Sequence, residues 1–483
     1  MMESNEQLKG KTVANMIWRL AERTGAQGVA FIVSIVLARF LSPEAYGTVA
    51  LLTVFTTILN VFVDSGLGNA LIQKRNADDL DFSTVFIFNM AMCLILYAGL
   101  FTASPLIAKF YGDPSLTSLM RVLGLTLVIS GVKNIQQAYV SRNLLFKKFF
   151  YATLGGTIIA AIVGIWMAYK GFGAWAIVMQ HVVNTAIDTT LLYITVRWRP
   201  HLKFSFERFR GLFSFGWKLL ASSLLDTVYN NVRQLIIGKV YSSSDLAYFN
   251  QGDKFPKVII GNINNAIDSV LLPVMSTVQD DRSRMKSMTR RSIKTSTYIM
   301  APIMMGLAFT AKPLVCLLLT EKWLGCVLYL QIFCVSYMFY PIHTANLNAM
   351  KAMGRSDLFL KLEIVKKIIA SFTIVIALLF GPMAMAYSML VTSFISQVIN
   401  SSPNKKIMDY GYLEQLKDIL PGILLAVFMG ICTLGARLLG QGNLITLVLQ
   451  VIIGVVVYIG CSAMLKLESF VFLFDMVKKK ASR

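Results

Sequence analysis

The chain has 483 residues, 56% hydrophobic and 15% charged, with a formal net charge of +21 and a mean hydropathy of +0.63. Soluble globular chains carry about a quarter charged residues; here the charges gather between long apolar runs, which excludes a soluble domain and indicates an all-α polytopic membrane protein. The six cysteines (Cys93, Cys316, Cys326, Cys334, Cys432, Cys461) form no CxxC pair and the three histidines (His181, His201, His343) are scattered, so no disulfide framework, metal centre or cofactor is expected.

The polar start "MMESNEQLKGKT" has no cleavable signal and runs straight into the first of about fourteen expected spans. In chain order these lie near 12–40, 44–72, 83–109, 116–141, 149–169, 173–196, 211–238, 246–276, 288–311, 325–350, 358–380, 383–402, 415–436 and 443–465. The turns hold breakers such as "LSPEAYG", "YGDPS", "KGFGAW", "FGPMA" and "GQGN". Pro256, Pro273, Pro302 and Pro341 are candidate kink sites. Gly66, Gly68, Gly155 and Gly156 are candidates for close helix packing.

Of the 46 Lys and Arg, 31 fall in alternate loops and at the two ends. The opposite loops hold seven. This asymmetry places both termini in the cytoplasm and accounts for the positive charge without nucleic acid.

The first and seventh spans end alike. "LARFLSPEAYG" (Leu37–Gly47) and "IGKVYSSSDLAYF" (Ile237–Phe249) pair Arg39 with Lys239, Phe40 with Val240, Leu41 with Tyr241 and Ser42 with Ser242. After one inserted residue, Glu44 pairs with Asp245. The expected plan is two pseudo-symmetric six-helix lobes, 1–196 and 211–402, joined by a cytoplasmic basic linker, 197–210. Two further spans (403–466) and a basic amphipathic tail (467–483) on the inner membrane surface complete it. Parallel repeats of this kind are a transporter signature, with the substrate path at the lobe interface.

Charges inside a bilayer cost about 2.5–3.5 kcal/mol each on insertion scales, so they face a cavity or a partner. Arg19, Arg23, Gln27 and Ser34 share one face of the first span. Thr53, Thr57, Asn60 and Asp64 share a face of the second; Lys218, Ser222, Asp226, Tyr229 and Arg233 one of the seventh; Asn250, Lys254, Lys257, Gly261, Asn264 and Asp268 one of the eighth. If the lobes pack pseudo-symmetrically, the four stripes line one net-basic cavity suited to phosphate. The candidate substrate residues are therefore Arg19, Arg23, Asn60, Lys218, Arg233, Lys254, Lys257 and Asn264; Asp64, Asp226 and Asp268 are candidates for ion coupling or internal salt bridges. The alternative is snorkelling at the interface for Arg19, Arg23, Lys218 and Arg233. In the fourth span Lys133, Gln136 and Gln137 form a further polar patch.

"LARFLSPEAYGTVALLTVF", "VDSGLGNALIQKRN" and "NAMKAMGRSDLFLK" resemble Wzx-type polysaccharide flippases, the polysaccharide transporter branch of the multidrug/oligosaccharidyl-lipid/polysaccharide superfamily. The resemblance implies fourteen helices in two lobes, alternating access and no covalent chemistry. It implies export of undecaprenyl-diphosphate-linked oligosaccharide across the bacterial inner membrane for O-antigen, capsule or exopolysaccharide assembly. The partners so implied are that lipid-linked glycan, membrane lipid and the polysaccharide polymerase machinery; nothing demands more than a monomer. The alternative is a multidrug or cation antiporter of the same superfamily, which would favour an acidic or aromatic cavity. A membrane enzyme would need a long outward loop with catalytic side chains; the longest expected, "KPLVCLLLTEKWL", has one acid, Glu321, and no histidine.

Overall fold

A computed structural model describes the backbone of residues 5–64, 66–74, 76–196 and 198–481. The N-terminal residues 1–4, with the side chains of Lys9, Lys11 and Arg23, lie outside the described residues. The chain is helical nearly throughout. Its contacts divide it into two compact units, Met1–Ala247 and Tyr248–Arg483.

The first unit contains α1 (Asn5–Phe40), α2 (Pro43–Asp64), the short α3 (Leu67–Gln73), α4 (Asp79–Tyr111), α5 (Ser115–Arg142), α6 (Phe146–Tyr169), α7 (Ala174–Thr195) and α8 (Phe206–Val240). α9 (Ser243–Ser276) crosses into the second unit. There follow α10 (Arg282–Leu318), α11 (Val327–Met338), α12 (Tyr340–Ala352), α13 (Ser356–Leu378), α14 (Pro382–Met408), α15 (Tyr412–Leu434), α16 (Asn443–Met464) and α17 (Glu468–Ala481).

Twelve of the fourteen expected spans each lie along a single helix, with ends that differ by a few residues or overrun. Among the described residues, ten helical segments are long and apolar enough to cross a membrane. α1, with a shorter apolar stretch at Thr24–Phe40, and α7, α8 and α13 fall outside that set. The reason is composition: α8 carries Lys218, Asp226 and Arg233, and α13 carries Lys361, Glu363, Lys366 and Lys367.

Several helices overrun their expected ends. At 1.5 Å per residue the 37 residues of α10 span about 55 Å, well beyond a hydrocarbon core of about 30 Å. Its first four turns therefore carry the basic residues out of the apolar layer. α8 starts at Phe206, inside the expected linker, because Ser205 Oγ accepts the Arg208 N–H at 3.4 Å.

Two expected spans are broken. The segment 44–72 divides between α2 and α3, where Gly66 has φ +67°. A Cβ on Gly66 would stand 2.6 Å from the Gly216 carbonyl oxygen of α8, so a glycine is required on both counts. Asn134 Nδ2 donates to the freed Val63 carbonyl at 2.9 Å. The segment 325–350 divides at Phe339, just before Pro341. By contrast Pro256, Pro273 and Pro302 lie within continuous helices.

The repeated turns are related by a shift of 200 without an insertion. Leu41 N donates to Leu37 O and Tyr241 N to Ile237 O; Tyr46 N donates to Ser42 O and Leu246 N to Ser242 O. The inserted residue expected between them is thus not needed: Glu44 stands in register with Ser244, and Ser244 Oγ donates to Glu44 Oε1 at 2.7 Å. The two turns touch. A Cβ on Gly47 would overlap the Ser243 carbonyl oxygen at 1.7 Å, so the close approach requires glycine there.

Candidate functional site

The segment expected as a linker is docked on the first unit. Trp198 packs on Phe82 and Tyr139 at ring separations of 5.6 and 6.0 Å. Its Nε1 donates to Asp79 Oδ1 at 3.0 Å, and Gln136 Nε2 donates to its carbonyl at 3.2 Å. The backbone N–H groups of His201 and Ser205 donate to Ser83 and Thr84 at the start of α4. Beneath them Asp81, with no exposed surface, accepts Lys74 at 2.7 Å and Arg208 at 3.5 Å. It also closes a capping box with Asp78, whose carboxyl is held below the usual carboxylate range chiefly by the Asp81 N–H.

Within the membrane-crossing part of this unit, Lys133 on α5 bonds Asp188 on α7 at 2.5 Å, with Asp188 only 3% exposed. On its other side α7 meets α6 closely at Gly156, where a Cβ would stand 3.0 Å from the Asp188 backbone nitrogen. Next along α5, Asn134 Nδ2 donates to Asp64 Oδ1 at 3.0 Å. Asp64 therefore belongs to a charged cluster with Lys133, Asn134 and Asp188. Arg19 bonds Glu22 at 3.0 Å and lies over the Phe146 and Phe149 rings, tying α1 to α6. Asn60 is half-buried on α2; on α8 Lys218 and Asp226 are exposed and Arg233 is half-buried.

In the second unit the α9 stripe divides by role. Asn264 Oδ1 accepts Thr344 Oγ1 at 2.6 Å and Asp268 Oδ1 accepts Asn348 Nδ2 at 2.8 Å. Two steps of four on α9 thus meet two steps of four on α12, and both side chains join helices. Lys257 lies 3.4 Å from Asp253, which also accepts Tyr337 OH at 2.6 Å, yet the Lys257 side chain keeps 67% of its surface exposed. Lys254 has no hydrogen bond or ion pair among the described residues.

Sequence reasoning singled out Lys133 but passed over Asp188, Asn134, Glu22 and Asp253. One signal was available: Gln180, Asn184 and Asp188 recur every four residues along α7. No group of three or more metal-ligating side chains occurs among the described residues.

A family profile described as polysaccharide biosynthesis protein matches residues 36–328. The chain is 26% identical over 65% of its length to the succinoglycan biosynthesis transport protein ExoT of Rhizobium meliloti, a match covering 64% of that protein, under two thirds. It is 23% identical over 82% of its length to the lipopolysaccharide biosynthesis protein WzxC of Escherichia coli, covering 80% of it. Among solved structures, the lipid II flippase MurJ in its inward closed conformation superposes with a TM-score of 0.75 at 15% identity, over 96% of this chain and 100% of that one. An inward-facing multidrug transporter of the MOP superfamily superposes at 0.58 and 14% identity, over 82% and 95%. The fold is thus that of the MOP-superfamily transporters. This chain is a multi-pass membrane protein and belongs to the polysaccharide biosynthesis protein family.

Proposed function

We propose that the protein is a flippase that exports undecaprenyl-diphosphate-linked oligosaccharide units across the bacterial inner membrane by alternating access. The observation that carries this reading is the family match over residues 36–328, joined to a transporter fold. The transport role named for ExoT, the polysaccharide and lipopolysaccharide biosynthesis named for the relatives, and the lipid II flippase role of the superposed MurJ support the cargo class. In this proposal fourteen spans form two six-helix lobes, 1–196 and 211–402, with 197–210 between them and 403–466 added. Both termini lie in the cytoplasm, and the working unit is a monomer.

Lys254 and Lys257 hold the diphosphate, assisted by Arg19, Arg23, Lys218 and Arg233, while Asn60 and Asn264 serve the sugar. Asp64, Asp226 and Asp268 serve ion coupling or internal pairing. An unpaired ammonium such as Lys254 suits this role, because an anion bound beside it removes the cost of holding a lone charge in the membrane. No step makes or breaks a covalent bond.

The test is the pool of lipid-linked sugar in a strain lacking the protein, with its leaflet assigned by periplasmic accessibility. Complete units should accumulate on the cytoplasmic leaflet and clear when the intact gene returns. Accumulation on the periplasmic leaflet would point to polymerisation or ligation, and an unchanged pool with lost cationic-dye efflux would make the protein an antiporter. In the same strain, K254Q/K257Q should fail to restore glycan export while reaching the membrane in normal amount.

A further inference from the structure

The second unit holds a pocket that the proposed transport does not use. It lies between the charged start of α10 and the terminal helix α17, with a volume of about 440 Å³. That is within the range of small-ligand sites, about 300–1,000 Å³. Arg291 and Lys294 of α10 line it, with Lys466 from the turn before α17 and Glu468, Phe472 and Asp475 from α17 itself.

Its charges are unequally committed. Lys294 is bonded to Glu468 and approaches Asp418 at 3.7 Å, and Arg290 makes two hydrogen bonds to Asp418 at 2.7 and 2.8 Å. These ties hold α17 and α15 to α10. Arg291 lies over the Phe472 ring at 4.8 Å. Among the described residues no carboxylate pairs with Arg291 or Lys466. With Lys294 and Glu468 bonded to each other, the pocket keeps Arg291 and Lys466 against the carboxylate of Asp475, an excess of one positive charge.

The surroundings fix what kind of anion could reach it. α16 ends at Met464, which is 84% exposed, and α10 becomes apolar just beyond Thr295. The pocket thus lies where the apolar layer of the unit stops. At 100° per residue α17 sets Phe470, Leu473 and Phe474 on one face and Glu468, Asp475 and Lys479 on the other. The polar face lines the pocket, while Phe474 on the apolar face is 59% exposed. A helix turned this way lies in the membrane surface, with its apolar side among acyl chains.

We propose that this pocket binds the phosphate of an anionic phospholipid headgroup, so that α17 and one lipid together seal the end of α10 against the membrane. Arg291 supplies a planar fork for the phosphate oxygens and Lys466 a point charge. The acyl chains of the same lipid run past the exposed face of α16.

The experiment uses the full chain in nanodiscs of phosphatidylethanolamine and phosphatidylglycerol, with a trace of photoactivatable phosphatidylglycerol. Cross-links mapped by mass spectrometry should fall on residues 287–295 and 464–476. R291Q/K466Q should lower them by about fivefold or more, given the loss of two charges at an anionic surface, with labelling of α2 and α4 unchanged. R291K/K466R should keep most of the labelling, which separates lost charge from a collapsed fold. Unchanged labelling in R291Q/K466Q would overturn the proposal, as would equal labelling by photoactivatable phosphatidylcholine. Displacement of the label by millimolar inorganic phosphate would make this a site for a soluble anion and overturn the lipid assignment.

Discussion

In residues 1–247 the polar groups buried among the helices include two carboxylates that tie elements together through ion pairs: Lys133 and Asp188 meet at 2.5 Å, and Asp81 holds Lys74 and Arg208. In residues 248–483 they are mostly neutral. Asn346 Oδ1 accepts Asn404 at 2.7 Å and Gln415 at 3.0 Å, Asn346 Nδ2 donates back to Gln415 at 2.9 Å, and His343 meets Asn400 at 3.2 Å. There the ion pairs that join helices include those at the start of α10, where Arg290 and Lys294 meet Asp418. The same task, joining helices through polar side chains, is thus met by two chemistries with different failure modes. Removing one partner of a buried ion pair strands a charge; removing one amide strands only a dipole.

The largest expected effect follows from that asymmetry. Asp188→Asn leaves Lys133 unpaired among apolar helices and should lower stability by about 3–5 kcal/mol, read from unfolding in mild detergent. K133M/D188L should recover most of it, since two well-packed apolar side chains replace the pair; a double variant as weak as the single one would remove the ion-pair account. Next, Asp81→Asn weakens two cation contacts and the capping box, a loss of about 2–3 kcal/mol. It should also speed cleavage by protease within 198–205. The smallest effect belongs to the amides: Asn346→Leu should cost about 1 kcal/mol, close to measured interhelical hydrogen bonds in membranes. A cost comparable to that of Asp188→Asn would erase the distinction between the units.

The helices themselves were legible in the sequence because an apolar run some 20 residues long has few other fates. Their breaks were less so. The α2–α3 break depends on the approach of Gly66 to Gly216, which lies 150 residues away and leaves no local pattern. Periodicity named the face on which Asn264 and Asp268 stand, yet it carries no information on what that face meets. α12 answers with Thr344 and Asn348 at the same four-residue step, a match visible only once the two helices are side by side. For the same reason Lys133 was singled out while Asp188, its partner, was not. The repeated turn was legible in composition but misjudged in register. Serine and acid were matched by chemical type, whereas the backbone bonds relate the turns by position.

The docking of residues 198–205 changes what chain continuity means there. A single cut after Pro200 would leave Trp198 on one fragment, bonded to Asp79 and Gln136. The other fragment would begin with His201 and Ser205, which bond Ser83 and Thr84, and would hold Arg208 against Asp81. Each fragment would carry its own anchor onto α4. The peptide bond at that point is a convenience of synthesis, and the two pieces made separately retain the complementary surfaces by which to reassemble.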